Sequence, residues 1–336
     1  MGYSSQAGKV LFRTQTVPDT APADFATAHR AMKLRGGSLG ANRDLLITDP
    51  EIGGGRDTVD AYLGAVAWSG DYEFYARLEA MATLLKACLG SGATVTTTGV
   101  STHTITPLDS GTLPFLTVEE NISSGLEVYQ YIDAVVNTFH LEAEANGYLM
   151  GTAGLIARKQ TAGVTPTASP LWDDSALIVG TNITITYNAV SLPAKSFSLD
   201  INNNFEDDDF RLGSFYLGDL TAKSREVNGS FSLRHANSAL WRQAVYGTQA
   251  ATTPGGLTAK NQLVITCTTY EDIVGGTPLT KGSITITIPK VAMEPFAFEP
   301  SGDDILENDV PWRALRPAAA TPLGTFVIKA ANPQIA

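Results

Sequence analysis

The chain has 336 residues, 43% hydrophobic, 17% charged and 8% aromatic, and its 23 basic against 34 acidic side chains give a formal net charge of -11. That length predicts two domains of about 160 residues, each able to bury a core. No stretch approaches the ~20 consecutive apolar residues of a membrane span, Met1-Gly2-Tyr3-Ser4-Ser5-Gln6 lacks a signal-peptide pattern, and Lys and Arg form no run that would grip phosphates.

In chain order, alternating runs rich in Thr, Val, Ile, Tyr and Phe predict strands at Asp71–Ala76, Asn137–Ala145, Asn182–Asn188, Ser196–Asn202, Arg225–Arg234, Gln262–Tyr270, Ser283–Pro289 and Thr325–Ala330. The fold class is therefore mainly β. Two windows read as helix. Arg77–Leu89 keeps Leu78, Met81, Leu85 and Cys88 at helical spacing before a Gly90 stop, and Ala236–Tyr246 offers Asn237 as N-cap with Leu240, Trp241, Ala244 and Val245 on one face, which would bury Trp241.

The two helices sit in matching contexts. Gly70-Asp71-Tyr72-Glu73-Phe74-Tyr75-Ala76-Arg77 leads into the first as Gly229-Ser230-Phe231-Ser232-Leu233-Arg234-His235-Ala236 leads into the second, about 159 residues later. Upstream, an extended segment, a long Gly/Asp-rich excursion and a return strand recur: Ala31–Arg35, Gly36–Arg56 and Thr58–Trp68, then Ser196–Ile201, Asn202–Arg225 and Glu226–Leu233. Downstream, Ile132–Glu142 lines up with Ile288–Glu299. Residues 1–168 carry 11 basic and 17 acidic side chains, and residues 169–336 carry 12 and 17. The pattern predicts a duplicated β domain, residues 1–165 and 171–336, joined by the Thr/Ala/Pro-rich linker 160–170. Generic hairpin-helix-hairpin similarity is the alternative.

Most motifs for chemistry fail on spacing. His29, His103, His140 and His235 have no second His or Cys at ligand spacing, and the two cysteines, Cys88 and Cys267, make no CxxC pair or disulfide framework. Gly90-Ser91-Gly92-Ala93-Thr94 follows a helix and lacks a Walker Lys, so it reads as a stop and loop. Gly53-Gly54-Gly55-Arg56-Asp57 reads as a mobile excursion tip. The acidic clusters Glu206-Asp207-Asp208-Asp209 and Asp303-Asp304 with Glu307 and Asp309 lack EF-hand spacing. Glu119-Glu120, and Glu142 with Glu144 two apart on a strand, lack the opposed placement of a glycosidase pair. No catalytic residue, cofactor or metal ligand is assigned.

The strand faces say more. Phe139, Leu141 and Ala143 alternate with His140, Glu142 and Glu144; Phe197, Leu199 and Ile201 with Ser198, Asp200 and Asn202; Phe231 and Leu233 with Ser230, Ser232 and Arg234. One face packs and the other is wet. Strands of several subunits joined edge to edge would place the wet faces around a channel whose acidic wall repels a passing polyanion. The candidates for that wall are Asp71, Glu73, His140, Glu142, Glu144, Asp200, Asn202, Ser230, Ser232, Arg234 and Glu299.

Ser196-Phe197-Ser198-Leu199-Asp200-Ile201-Asn202-Asn203-Asn204, a long loop, then Arg225-Glu226-Val227-Asn228-Gly229-Ser230-Phe231-Ser232-Leu233-Arg234 entering one short helix resembles the major tail tube proteins of long, non-contractile-tailed bacteriophages, relatives of contractile-tail and type VI secretion inner tubes. The resemblance implies tandem β-sandwich or barrel domains, each with one flanking helix, in rings around a lumen that conducts DNA. Single-domain members form hexamers; a duplicated chain implies a trimer with pseudo-sixfold symmetry, with the hexamer as the alternative. It also implies a non-enzymatic virion protein made in the bacterial cytoplasm, with tape-measure and tail-tip or terminator partners, no membrane and no cofactor. By analogy the excursions would supply inter-ring contacts through Arg43, Asp44, Arg56, Glu206, Asp207, Asp208, Asp209, Arg211 and Lys223, a polar contact summed over many copies. The arms Met1–Ala28 and Ala318–Ala336 would order on assembly. The alternatives are a carbohydrate-binding or carbohydrate-cleaving β-sandwich, which needs an aromatic platform and opposed carboxylates, and a capsid-decoration or adhesin protein.

Overall fold

A computed structural model describes residues 4–109, 111–123, 126–234, 237–298, 306–318, 321–333 and 335. The first half holds β1 (Lys9–Thr14), β2 (Arg30–Met32), β3 (Leu34–Gly37), β4 (Gly40–Ile47), β5 (Ala61–Tyr75), β6 (Gly90–Thr97), β7 (Val100–Pro107), β8 (Leu116–Ser123), β9 (Glu127–Glu144) and β10 (Met150–Ala162). The second holds β11 (Ile178–Tyr187), β12 (Val190–Leu192), β13 (Ala194–Asn202), β14 (Glu226–Arg234), β15 (Asn261–Asp272), β16 (Lys281–Met293), β17 (Glu307–Ala314) and β18 (Thr325–Ala330). The helices are α1 (Phe25–Ala28), α2 (Leu78–Leu89) and α3 (Ala239–Tyr246). The protein is mainly β, and among the described residues no helix is long and apolar enough to cross a membrane.

The two halves use one strand order. The first pairs β1–β8–β9–β10–β5–β3; the second pairs β11–β15–β16–β17–β14–β13. All these pairs are antiparallel, and each register shifts at the same place, between Leu34 and Gly36 on β3 and between Ala194 and Ser196 on β13. A Cβ on Gly70 would lie 2.1 Å from the Ser38 carbonyl oxygen, and one on Gly229 would lie 2.1 Å from that of Ser198. Ser38-Leu39 thus corresponds to Ser198-Leu199, and the counterpart of Ser196–Ile201 is 36–41 rather than the expected Ala31–Arg35. Gly36, Gly37 and Gly40 leave this strand with little side-chain pattern to read.

The halves are woven together. The C-terminal part of β9 pairs with β13 from Thr138↔Asn202 to Glu144↔Ser196. The β6–β7 hairpin, first-half in sequence, adds to the second half through β7·β18. Gly90-Ser91-Gly92-Ala93-Thr94 is therefore strand rather than loop, because Gly90 at φ 99° reverses the chain straight into the hairpin. Both terminal arms are already anchored in the single chain, β1 between β2 and β8, and β18 between β16 and β7. One hydrophobic core, including Phe12, Phe74, Leu85, Phe139, Phe231, Ile286 and Trp312, runs through both halves.

Helix α2 is nearly all core, whereas α3 buries only Gln243 and Ala244 and leaves Trp241 half-buried rather than buried as expected. Helix α3 starts at Ala239 after Ser238, with Asn237 Oδ1 accepting from the Ala239 N–H at 2.9 Å, so Asn237 acts just ahead of the cap. Arg77 gives α2 no side-chain cap. The segment after the first half does so instead: Asp173, fully buried, accepts from the Ala80 N–H at 2.7 Å, and Ser175 Oγ accepts from the Leu78 N–H at 2.9 Å. The 160–170 stretch is also tied down, with Thr167 N–H donating to Glu119 at 2.8 Å. Asp173→Ala is expected to cost about 2–3 kcal/mol, a lost cap plus a buried helix N-terminus left unpaired; a lower urea midpoint at unchanged slope would register it, and an unchanged midpoint would refute it.

The acidic face of the shared sheet as candidate functional site

Because β9 is long enough to serve both halves, one sheet runs β3–β5–β10–β9–β13–β14–β17–β16 across the chain. Strand period two then carries a wet row from strand to strand. One row reads Glu73, Thr152, His140, Asp200, Asn228, Arg313. A second reads Asp71, Gly154, Thr138, Asn202, Glu226. Others join Glu142 to Ser198 and Ser230, and Glu144 to Ser196, Ser232 and Asp309. Arg234, two residues beyond Ser232, shares this face and sits opposite Glu307.

The structure therefore brings Asp71, Glu73, His140, Glu142, Glu144, Asp200, Asn202, Ser230, Ser232 and Arg234 onto one solvated face, while their alternates Tyr72, Phe74, Leu141, Leu199 and Phe231 are buried. Glu299 lies outside the described residues. Glu226, Glu307 and Asp309 join the face as well: Glu307 and Asp309 belong to an acidic cluster with no alternation to give it a side, and the β14·β17 register assigns one. Arg313 and Lys195 are partly neutralised there by ion pairs with Glu294 at 3.1 Å and with Glu307.

Where the two halves meet, the face carries a histidine between two carboxylates. His140 Nδ1 lies 2.6 Å from Asp200 Oδ1 and its Nε2 lies 3.5 Å from Glu142. The hydrogen bond to Asp200 holds the imidazole above its ordinary value, partial burial opposes it, and Glu142 adds to the rise. A protonated His140 bonds the strands of the seam through side chains as well as backbone.

The excursions differ from each other. The first is a β4–β5 ribbon, paired from Gly40↔Ser69 to Ile47↔Ala61 and exposed along all of β4, so Arg43 and Asp44 are strand residues rather than loop, and Arg56 lies in the exposed 48–60 tip. The second excursion folds against the base of that ribbon. Phe205, Leu217 and Leu220 pack with Ala67, Val135 and Ile156, and the Val66 N–H donates to the Phe215 carbonyl at 2.8 Å. Its charges close on themselves: Arg211 bonds Asp209 at 2.7 Å and Asp219 at 2.9 Å, and Lys223 meets Glu206 at 3.5 Å, while Asp207 and Asp208 stay exposed. Among these charges the excursions also expose large apolar side chains: Leu45, Leu46, Ile47, Ile52, Tyr62 and Leu63 on the ribbon, Leu212 and Phe215 beside it.

Other candidates are interior. Glu119 and Glu120 are buried, Glu119 bonded to Thr167 and Glu120 to the Tyr72 hydroxyl at 3.2 Å. Burial pushes the Cys88 and Cys267 thiols up to about 12. Trp68 and Trp312 are buried and Trp172 and Trp241 half-buried, so no tryptophan platform faces solvent. Among the described residues no cluster of His, Cys, Asp or Glu could hold a metal ion.

The family model described as "Phage tail tube protein" matches residues 5–314, a span that includes both halves of the sheet. No curated protein matches the chain.

Proposed function

Starting from the premise that this chain belongs to the phage tail tube protein family, and is thus a structural component of a virion tail that assembles into a tube with other tail proteins, we propose that its subunits close into stacked rings whose bore is the acidic face of the shared sheet. The observation that carries this reading is the continuous sheet, in which both halves present one wet, mainly acidic side and one buried side. DNA passing along such a wall meets fixed like charge and few cations, so it slides without sticking.

The matched strand orders and the twin close approaches at Gly70 and Gly229 support a duplicated tube domain, which makes three chains equivalent to six domains in a ring. The exposed ribbon suits the contact between rings. Its apolar side chains would add hydrophobic burial to a polar contact made by Arg43, Asp44 and Arg56. Tape-measure and tail-tip or terminator proteins would meet the bore and the ends of the tube.

Negative-stain microscopy of the purified protein or of particles containing it tests the reading. Hollow rings or tubes with three chains per ring are expected; a monomer that fails to assemble at high concentration would overturn it, and six chains per ring would overturn the count.

A further inference from the structure

Residues 171–175 form a strap between the end of the first half and α2. Its backbone pairs with β2: the Ala31 N–H donates to the Leu171 carbonyl at 2.9 Å, and the Asp173 N–H donates to the Ala31 carbonyl at 3.0 Å. Its side chains cap α2, Asp173 accepting from the Ala80 N–H and Ser175 from the Leu78 N–H, and the Arg77 guanidinium donates to the Ser175 carbonyl. Trp172, Asp174 and Ser175 also border a cavity of about 280 Å³ with Leu78, Glu79 and Ile273, which gives this segment room to shift.

A histidine holds one end of the strap. The Leu171 N–H donates to His29 Nε2 at 2.9 Å, and His29 Nδ1 lies 2.8 Å from the Phe25 carbonyl. His29 is fully buried, with the Phe25 ring stacked on it at 5.8 Å. These partners fix the tautomer. A carbonyl only accepts, so Nδ1 carries the hydrogen; a backbone N–H only donates, so Nε2 must offer its lone pair. A second proton would sit on Nε2 and face the Leu171 hydrogen.

The surroundings agree with that geometry. Burial holds the imidazole below its ordinary value, Arg13 on β1 and the adjacent Arg30 lower it further, and Glu119 on β8 acts the other way. Each of these charges has its own partner: Arg13 meets Asp24 at 2.6 Å, Arg30 meets Glu79 at 3.3 Å, and Glu119 holds Thr167. Asp173 and Arg77 are engaged in the bonds between strap and helix, and Asp174 pairs with Lys33 at 2.5 Å. Of the other described histidines, His103 meets the Thr94 hydroxyl and the Asn332 carbonyl, and a hydroxyl can turn to accept. His140 lies between carboxylates and gains from a proton.

We propose that residues 171–175 are an acid-released latch: a proton on His29 Nε2 replaces the acceptor for the Leu171 N–H with a second donor, the strap leaves β2, and the first turn of α2 loses its caps. The contribution of His29 is complete above its ordinary value of about 6.5 and is lost as pH falls through it. Acid thus acts oppositely at two places, loosening the strap while the His140–Asp200 pair keeps the halves joined. The latch belongs to the single chain and stands apart from ring assembly.

Hydrogen exchange of the unassembled full-length chain tests it. Corrected for the intrinsic rate, opening of residues 171–175 and of the Leu78 and Ala80 amides is expected to rise about ten-fold between pH ~7.5 and pH ~5.5, the ratio set by an ordinary histidine in the open state, with no such rise in β9 or β13. His29→Gln, whose side-chain oxygen can accept from the Leu171 N–H without titrating, should hold the opening level across that range. Equal opening of the parent at both pH values, or the same rise in the glutamine variant, overturns the latch. Should His29→Gln fail to fold, nitrogen-resolved NMR of the parent decides: His29 is expected to stay in the Nδ1–H form down to pH ~5.5 in the closed strap. A hydrogen on Nε2, or a titration near the ordinary value with strap protection unchanged, overturns it equally.

Discussion

On the proposed ring, replacing Glu73, Glu142 and Glu144 together by lysine is expected to give a tube that retains DNA. The three side chains lie on the wet face on β5 and β9, and Glu142 and Glu144 stand opposite only serines on β13. None fills the core, so the fold and the rings should persist. The inverted charges would sit around the bore, repeated in every ring, and a row of cations against phosphates releases counterions as it binds. Duplex DNA retained by assembled tubes at ~50 mM salt should rise by roughly a hundred-fold or more, and fall steeply again by ~200 mM salt. Filter retention of labelled DNA reads this directly. Intact variant tubes that still pass DNA freely would mean that these residues do not face the bore.

The second large effect is on stability. Gly229→Val should lower the melting temperature by about 4 °C, corresponding to roughly 3 kcal/mol in a chain of this size. The position has no room on either side: a Cβ would lie 2.1 Å from the Ser198 carbonyl oxygen and 2.6 Å from the Trp312 ring, which itself stacks on Phe231 at 5.8 Å. Neither a backbone carbonyl in a sheet nor a buried indole can step aside cheaply, so β13 and β14 must part where they carry the acidic face. Gly70→Val should fall by a similar amount through Ser38, since its Cβ meets that carbonyl at the same distance. Calorimetry of both variants checks this. A melting temperature within a degree of the parent at Gly229 would show that the strands tolerate separation.

Alternation along β9, β13 and β14 could be read directly, because residues two apart on a pleated strand share a face whatever lies beside them. The same held for α2, whose apolar spacing and Gly90 stop are local features. Reading failed where side chains are missing or where the partner is remote. Gly36, Gly37 and Gly40 concealed the strand that corresponds to β13, so the repeat was matched too early in the chain. Gly90 suggested a stop and a loop, yet the residues after it form a hairpin because β18 supplies an edge for it. The cap of α2 came from Asp173 and Ser175, nearly a hundred positions away.

By itself, then, the sequence determined the class of the protein, mainly β, the existence of α2 and α3, and the wet or buried side of most strands, since all follow from local period and composition. Only the tertiary structure decided that β9 would bridge the halves, that Glu226, Glu307 and Asp309 would join the acidic face, and that one excursion would project as an exposed ribbon and the other brace it. Strand order and register depend on which backbone edges meet and which side chains fill the space between sheets, and those are properties of the packed chain rather than of any stretch of it.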